Sequence, residues 1–278
     1  MPRFGYRKPT GLRRRVNNLR YRLARRLMGR YAVRDNGYRY DIACLSSREL
    51  SRIASLFVKE EGTVALIRGE VAEGDVFCDI GANIGLYSLM AAARVGETGC
   101  VYAFEPLAPN FARLLEHIEG NGFTTRIVPF SLALNDLPGF FPFHCRSLES
   151  GASGSQLHEP MSDSEEAFAP QATEMKYAAS LDSLVCDGVV RPPTIIKIDV
   201  DGNEARILRG MAGLLTGDNR PRVLSVEVNA REKSDLFGFM ESCGYAFADR
   251  NDTLGGRRKM HRGADPESVA YNAIFRPV

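Results

Sequence analysis

Two carboxylates flank a short glycine loop in this chain. Asp79-Ile80-Gly81-Ala82-Asn83-Ile84-Gly85 places an acid just ahead of two glycines, and Glu105 follows Gly85 by 20 residues. The glycines let backbone pass close to a ligand, and a helix starting behind them offers free N–H groups to a carboxylate or phosphate. A dinucleotide site prefers three glycines spaced G-x-G-x-x-G, with the pyrophosphate on the helix start. This loop has two, at spacing four, and Asp79 would repel a pyrophosphate while pairing with an ammonium group. Glu105 stands at the spacing from which a carboxylate accepts two hydrogen bonds from a ribose diol. The implied ligand is cationic at one end and sugar-bearing at the other. S-adenosylmethionine meets both demands, with its amino group at Asp79, its ribose on Glu105, and Gly81, Asn83 and Gly85 shaping the loop between them.

A second constellation follows at Ile195-Ile196-Lys197-Ile198-Asp199-Val200-Asp201-Gly202. The isoleucines read as a central buried strand, so Asp199 and Asp201 emerge at its end, on the same ligand crevice. Methyl transfer to oxygen needs a hydroxyl that loses its proton, and a carboxylate in hydrogen-bond reach can take it; an oxygen-ligated Mg²⁺ is the alternative activator. Asp199 is read as base or metal ligand, against a capping role at Gly202 or Asn203, with Asp201 and Glu227 as further candidates. Lys197 reads as a structural ion-pair partner, and Glu204 as a residue that complements the start of its helix.

The elements that must position these groups alternate between strand and helix patterns. Strands are expected at Val76 to Ile80, Val101 to Phe104, Arg126 to Phe130, Thr194 to Ile198 and Val223 to Val228, with a closing strand at Tyr271 to Phe275. Helices are expected at Leu86 to Ala93, Asn110 to Asn121, Glu204 to Leu215 and Ser234 to Cys243, where Ser234 caps the start and Gly244 stops the end. Tyr38 to Arg68 reads as a short strand and one or two helices. Successive βα units imply a doubly wound, mostly parallel sheet with helices on both faces. The polar, Ser-rich stretch 145–178 has no sustained periodicity and reads as a long loop beside the site.

At this point the residues resemble a known family. DIGANIGLYS at 79–88, AFEP at 103–106, SLDSL at 180–184, IKIDVDGNEARILRG at 196–210 and VEVN at 226–229 are similar to the FkbM family of S-adenosylmethionine-dependent methyltransferases. The resemblance runs from about Gly74 to Gly244. It implies a Rossmann-like class I methyltransferase fold and an O-methyltransferase acting on a sugar, glycan, polyketide or other small molecule. Asp201-Gly202 stands where the family commonly has Glu-Gly, one methylene longer, and Asn203 where a small residue is common.

Composition bounds the remaining choices. The chain has 278 residues, 44% hydrophobic and 25% charged, as in ordinary globular proteins. Twelve of its 36 Lys and Arg lie in residues 1–34, ahead of the first acidic residue, Asp35. The expected organisation is therefore a basic amphipathic N-terminal arm over 1–34 and a methyltransferase domain over 35–278. The arm, with Leu12, Val16, Leu19, Leu23 and Leu27 at helical spacing, suits contact with an anionic membrane surface. The acidic remainder speaks against nucleic acid in the crevice. Six scattered cysteines without a C-x-x-C pair, no membrane-length apolar run and no secretory signal pattern point to the cytoplasm. The alternative class is a membrane- or polyanion-associated binding module built on the same fold. A nicotinamide-dependent dehydrogenase is disfavoured by the missing middle glycine.

Overall fold

Short apolar runs form the centre of the molecule. Val76–Ile80 and Ile195–Ile198 are buried at every position, as expected of parallel strands covered on both faces. The computed structural model describes residues 29–161 and 167–278, with Arg15, Val16 and Leu19 before them. A hairpin of β1 (Gly29–Asp35) and β2 (Tyr38–Cys44) leads into α1 (Ser47–Lys59) and α2 (Glu61–Glu70). Then come β3 (Val76–Ile80), α3 (Leu86–Val95), β4 (Cys100–Phe104), α4 (Ala108–Gly120) and β5 (Ile127–Phe130). A separate small sheet is built from β6 (Ala133–Leu134), β7 (Gly139–Cys145), β8 (Gln156–Leu157) and β9 (Ala172–Ala179). The chain returns through α5 (Leu181–Cys186), β10 (Ile195–Ile198), α6 (Glu204–Arg209), α7 (Ala212–Thr216), β11 (Val223–Val228), α8 (Lys233–Ser242), β12 (Tyr245–Asp252), α9 (Leu254–His261) and β13 (Tyr271–Pro277).

The main sheet has the order β12-β13-β11-β10-β3-β4-β5. Pairing from β11 through β5 is parallel. Only β13 runs against its neighbours β11 and β12. The chain builds outward from β3 to β5 on one side, then returns to place β10 and β11 on the other. The switch therefore lies between β3 and β10, where a crevice opens beyond their carboxyl ends. Alternation divides the core. Phe77 and Ile195 pack with Leu89 and Met90 of α3 on one face, while Cys78, Ile80, Ile196 and Ile198 pack with Leu208, Leu215 and Met240 on the other. Burial of each large side chain contributes about 1.5–3 kcal/mol. The expected doubly wound α/β architecture is thus what the chain adopts.

Four details differ from expectation. The division at residue 34 falls inside β1, because Asn36 and Gly37, at φ 46° and 88°, turn the chain back into β2. Asp35 is buried between Arg68 and Arg94, so residues 29–34 belong to the folded domain. Of the expected basic helix, Arg15, Val16 and Leu19 are helical and exposed; the rest, and the membrane contact expected of it, lies outside the described residues. The stretch 145–178 is not a bare loop, since Ala172–Ala179 pairs along all of β7. Its alternation is inverted, with Met175 and Tyr177 exposed and Glu174 and Lys176 half-buried, which hid the strand. The helix expected from Glu204 to Leu215 breaks at Gly210 and Met211 into α6 and α7. Ser234 is not the cap of α8, whose N-cap is Glu232. Among the described residues no disulfide forms, and no helix is long and apolar enough to cross a membrane.

Candidate active site

The register between β3 and β10 decides what the first acid can do. Lys197 pairs directly with Asp79 in the ladder, so both side chains point to the same face. Lys197 Nζ lies 3.0 Å from Asp79 Oδ1, and Ser88 Oγ donates to Asp79 Oδ2 at 2.6 Å. Asp79 is fully buried and lines neither cavity beside the loop. The structure thus places Asp79 away from both cavities, where the sequence had set it against a ligand ammonium group. Asp79 lies beneath the loop as the counter-charge of Lys197.

The two loop glycines serve packing. Gly81 has φ +80°, and a Cβ there would stand 1.9 Å from the Asp199 carbonyl oxygen, so glycine lets the ends of β3 and β10 meet. Gly85 has φ +85°, and its Cβ would strike Leu114 at 2.3 Å. Gly81 and Asn83 line the cavities on either side of the loop, whereas Gly85 lines neither.

Glu105 stands where the sequence placed it. Its Oε2 accepts from Asn83 N at 2.7 Å and its Oε1 from Leu107 N at 2.8 Å. Burial pushes its carboxyl up to about 7, against the lowering effect of those two bonds. Each oxygen keeps a second lone pair, the capacity a ribose diol requires. The surrounding cavity is apolar at Phe104, Pro106, Leu107, Leu132 and Phe143, which suits a purine. The residues present thus fit the sugar and base of S-adenosylmethionine.

A strap over 151–156 closes this cavity. Asn83 Nδ2 and Asn110 Nδ2 both donate to Ala152 O, at 2.7 and 3.0 Å, and Gly151 N donates to Asn110 Oδ1 at 2.7 Å. Arg52 Nε donates to Gly151 O at 2.6 Å from α1. Gly154 N donates to Asp201 Oδ2 at 2.6 Å, and Gln156 Nε2 donates to Asp201 O. On its outer side the strap borders a polar basin lined by Arg48, Arg146, Ser147, Ser153, Gln156 and Asp201.

The two acids after β10 differ. Asp199 borders both cavities, with Lys197 Nζ 3.7 Å from its carboxylate. Burial pushes its carboxyl up, but Lys197, Lys59, Arg52 and a hydrogen bond with Glu227 together hold it below the ordinary value. Asp201, at φ +65°, is pushed above the ordinary value by burial and by Asp199 beside it. Glu204 is buried, accepts from Val200 N and Gly202 N at 3.2 Å each, and is raised to about 8 by burial. It braces the loop that carries both acids. Glu227, on β11, is one strand removed and reaches the cavity through Asp199.

The structure brings Glu105, Asn83, Gly81, Asp199 and Asp201 together and sets Asp79, Gly85 and Glu227 behind them. Sequence reasoning missed Arg52, Lys59 and Tyr87, which line the second cavity. Arg52 and Lys59 lie two turns apart on α1, a spacing whose meaning depends on where that helix docks. The expected Mg²⁺ does not fit: among the described residues no group of three or more His, Cys, Asp or Glu side chains could hold a metal ion, and the cations facing Asp199 already balance it.

The residues 79–247 match the methyltransferase FkbM domain. The chain is 28% identical over 195 residues to the hexuronic acid methyltransferase AglP of Haloferax volcanii, covering 70% of this chain and 72% of that protein. A methyltransferase FkbM from Methylobacillus flagellatus superposes with TM-score 0.48 and 15% identity, covering 72% of this chain but only 43% of the other. An S-adenosylmethionine-dependent methyltransferase from Aquifex aeolicus gives TM-score 0.46 and 11% identity over 83% of this chain and 97% of that one. With the family match spanning the glycine loop, Glu105 and the acids after β10, the chain belongs to the FkbM family of S-adenosylmethionine-dependent methyltransferases.

Proposed function

We propose that this enzyme moves the methyl group of S-adenosylmethionine to a hydroxyl oxygen of a sugar, with Asp201 accepting the hydroxyl proton. The observation that carries this reading is the position of Asp201, which borders both the cofactor cavity and the polar basin outside the strap. When bound, S-adenosylmethionine supplies a methyl carbon made electrophilic by its positive sulfur. Glu105 orients the ribose end by accepting its hydroxyl protons. Asp199, held ionised by the cations around it, supplies a fixed negative charge at the wall of the cavity. The same depressed pKa makes Asp199 a weak base. Asp201, raised by burial, is better matched to proton abstraction near neutral pH, and Gly154 N and Gln156 hold it in place.

The basin supports a carbohydrate acceptor. Ser147, Ser153 and Gln156 offer hydroxyl and amide partners to a polyhydroxylated ring, and Arg48 and Arg146 offer cations to an acid group on it. The hexuronic acid named for the Haloferax relative supports the same substrate class. The test is methyl transfer from labelled S-adenosylmethionine to hexuronic acid glycosides, neutral hexosides and a polyketide alcohol. Alkali-stable label on the acidic sugars is expected. An alkali-labile methyl ester would move the acceptor atom to the carboxylate and remove the role given to Asp201, and label on the polyketide alone would overturn the sugar reading.

A further inference from the structure

We propose that α1, which precedes the family-matched part of the chain, supplies the site for the amino-acid end of the cofactor: Arg52 and Lys59 hold its α-carboxylate, while Glu60 and Asp199 face its α-ammonium group. This inference rests on S-adenosylmethionine being the cofactor and extends the site to residues no family motif contains. Its starting point is the placement of Asp79. That carboxylate is fully buried beneath the loop beside Lys197 and lines neither cavity, so a zwitterion bound in the crevice meets other partners.

The second cavity supplies them. It meets the first at Gly81, Asn83 and Asp199, and its wall carries both signs of charge: Arg52, Lys59 and Lys197 against Glu60 and Asp199. With the ribose fixed on Glu105, a short amino-acid tail leaving the sulfur has two ways to go. The basin outside the strap encloses about 870 Å³, open solvent included, and Asp201 is its acid. The second cavity encloses about 390 Å³ on the same measure; it is the smaller of the two, and in it two acids, Glu60 and Asp199, stand against Arg52, Lys59 and Lys197, where the basin has the single acid Asp201.

The geometry of α1 suits the carboxylate. Arg52 uses its Nε–H on Gly151 O, and among the described residues its two Nη groups have no hydrogen-bond partner, which leaves the fork that binds carboxylates in two-point fashion. Lys59 Nζ donates to Glu60 Oε1 at 3.1 Å, one of its three N–H groups. Glu60 is buried and also accepts from Thr63 Oγ1 at 3.3 Å, so its negative charge is held at the cavity wall. Arg52 further links the two ends of the cofactor site, because the Gly151 it grips belongs to the strap over the ribose cavity.

Calorimetric titration of the full chain with three ligands tests this. S-adenosylhomocysteine has both charges, its decarboxylated analogue keeps only the amine, and 5′-methylthioadenosine has neither. For Arg52→Gln, affinity for S-adenosylhomocysteine is expected to fall about 10- to 100-fold more than affinity for the other two, any loss common to all three reporting the lost bond to Gly151 O. Lys59→Gln is expected to follow the same pattern with a smaller loss, as one point charge replaces a fork. Retained methylthioadenosine binding shows that the variants are folded and that the ribose cavity is intact. Equal losses for all three ligands, or none for S-adenosylhomocysteine, would overturn the assignment. If the unaltered chain bound none of them, the cofactor itself, and not α1, would be at fault.

Discussion

Asp79 and Asp201 are both acids at the carboxyl ends of central parallel strands, and the sequence makes them look alike. The fold assigns them to different worlds. Asp79 points to the face where the neighbouring strand presents Lys197, accepts from Lys197 and Ser88, and is fully buried away from both cavities. Asp201 lies past the end of its strand at positive φ, borders two cavities, and has a carboxyl raised by burial and by Asp199. Strand register, more than residue type, decides which acid is sealed as a counter-charge and which stays available to a substrate.

Breaking the sealed pair should have the larger effect on folding. Asp79→Asn leaves the Lys197 ammonium buried without its nearest counter-charge, and a loss of about 3–5 kcal/mol in urea unfolding is expected. Asp201→Asn should leave stability nearly unchanged, since Asn tolerates positive φ and still accepts from Gly154 N. Its turnover should fall by about 10² or more with S-adenosylhomocysteine affinity preserved. In the unaltered enzyme, activity should decline as pH drops through the raised Asp201 value, because the base works only when ionised. Near-normal turnover in the Asn variant would erase the contrast between the two acids.

Two smaller effects sharpen it. Glu105→Ala should weaken S-adenosylhomocysteine binding by about 1.5–3 kcal/mol, read by calorimetry, and unchanged affinity would remove Glu105 from the site. Glu204→Gln should raise stability at neutral pH by on the order of 1–3 kcal/mol, since the unfolded carboxylate is ionised there while the folded one, titrating at about 8, must take up a proton, a cost that Gln lacks while keeping an acceptor for Val200 N and Gly202 N. The folded value lies above the unfolded one, so the contribution of Glu204 is complete below about 4.5 and is lost as pH rises through about 8. Unfolding midpoints taken at pH 6 and pH 9 should therefore diverge more in the unaltered chain than in the variant.

The main sheet was readable because Val76–Ile80, Ile195–Ile198 and Val223–Val228 are apolar runs that can only be buried, each followed by a turn or a helix start. The positions of Glu105 and Asp201 at the crevice were readable because strand ends define it in such sheets. The first hairpin was missed although Asn36-Gly37 is a strong turn pair, because the basic charge before Asp35 drew the boundary instead. β9 was missed because its apolar side chains face outward. The burial of Asp79 against Lys197 was not legible because its spacing from the glycines says nothing of the lysine that the register sets beside it. Arg52 and Lys59 carried no local signal, since their role depends on tertiary docking of α1.

The strap over 151–156 has a kinetic consequence. One side of it walls the ribose cavity, and the other borders the basin where the acceptor is proposed to lie. If the nucleoside leaves by displacing this strap, an acceptor seated in the basin opposes that movement. Turnover should then follow a compulsory sequence, with the methyl donor first on and its spent thioether last off. In initial-rate experiments, S-adenosylhomocysteine should compete with S-adenosylmethionine but inhibit noncompetitively against the sugar.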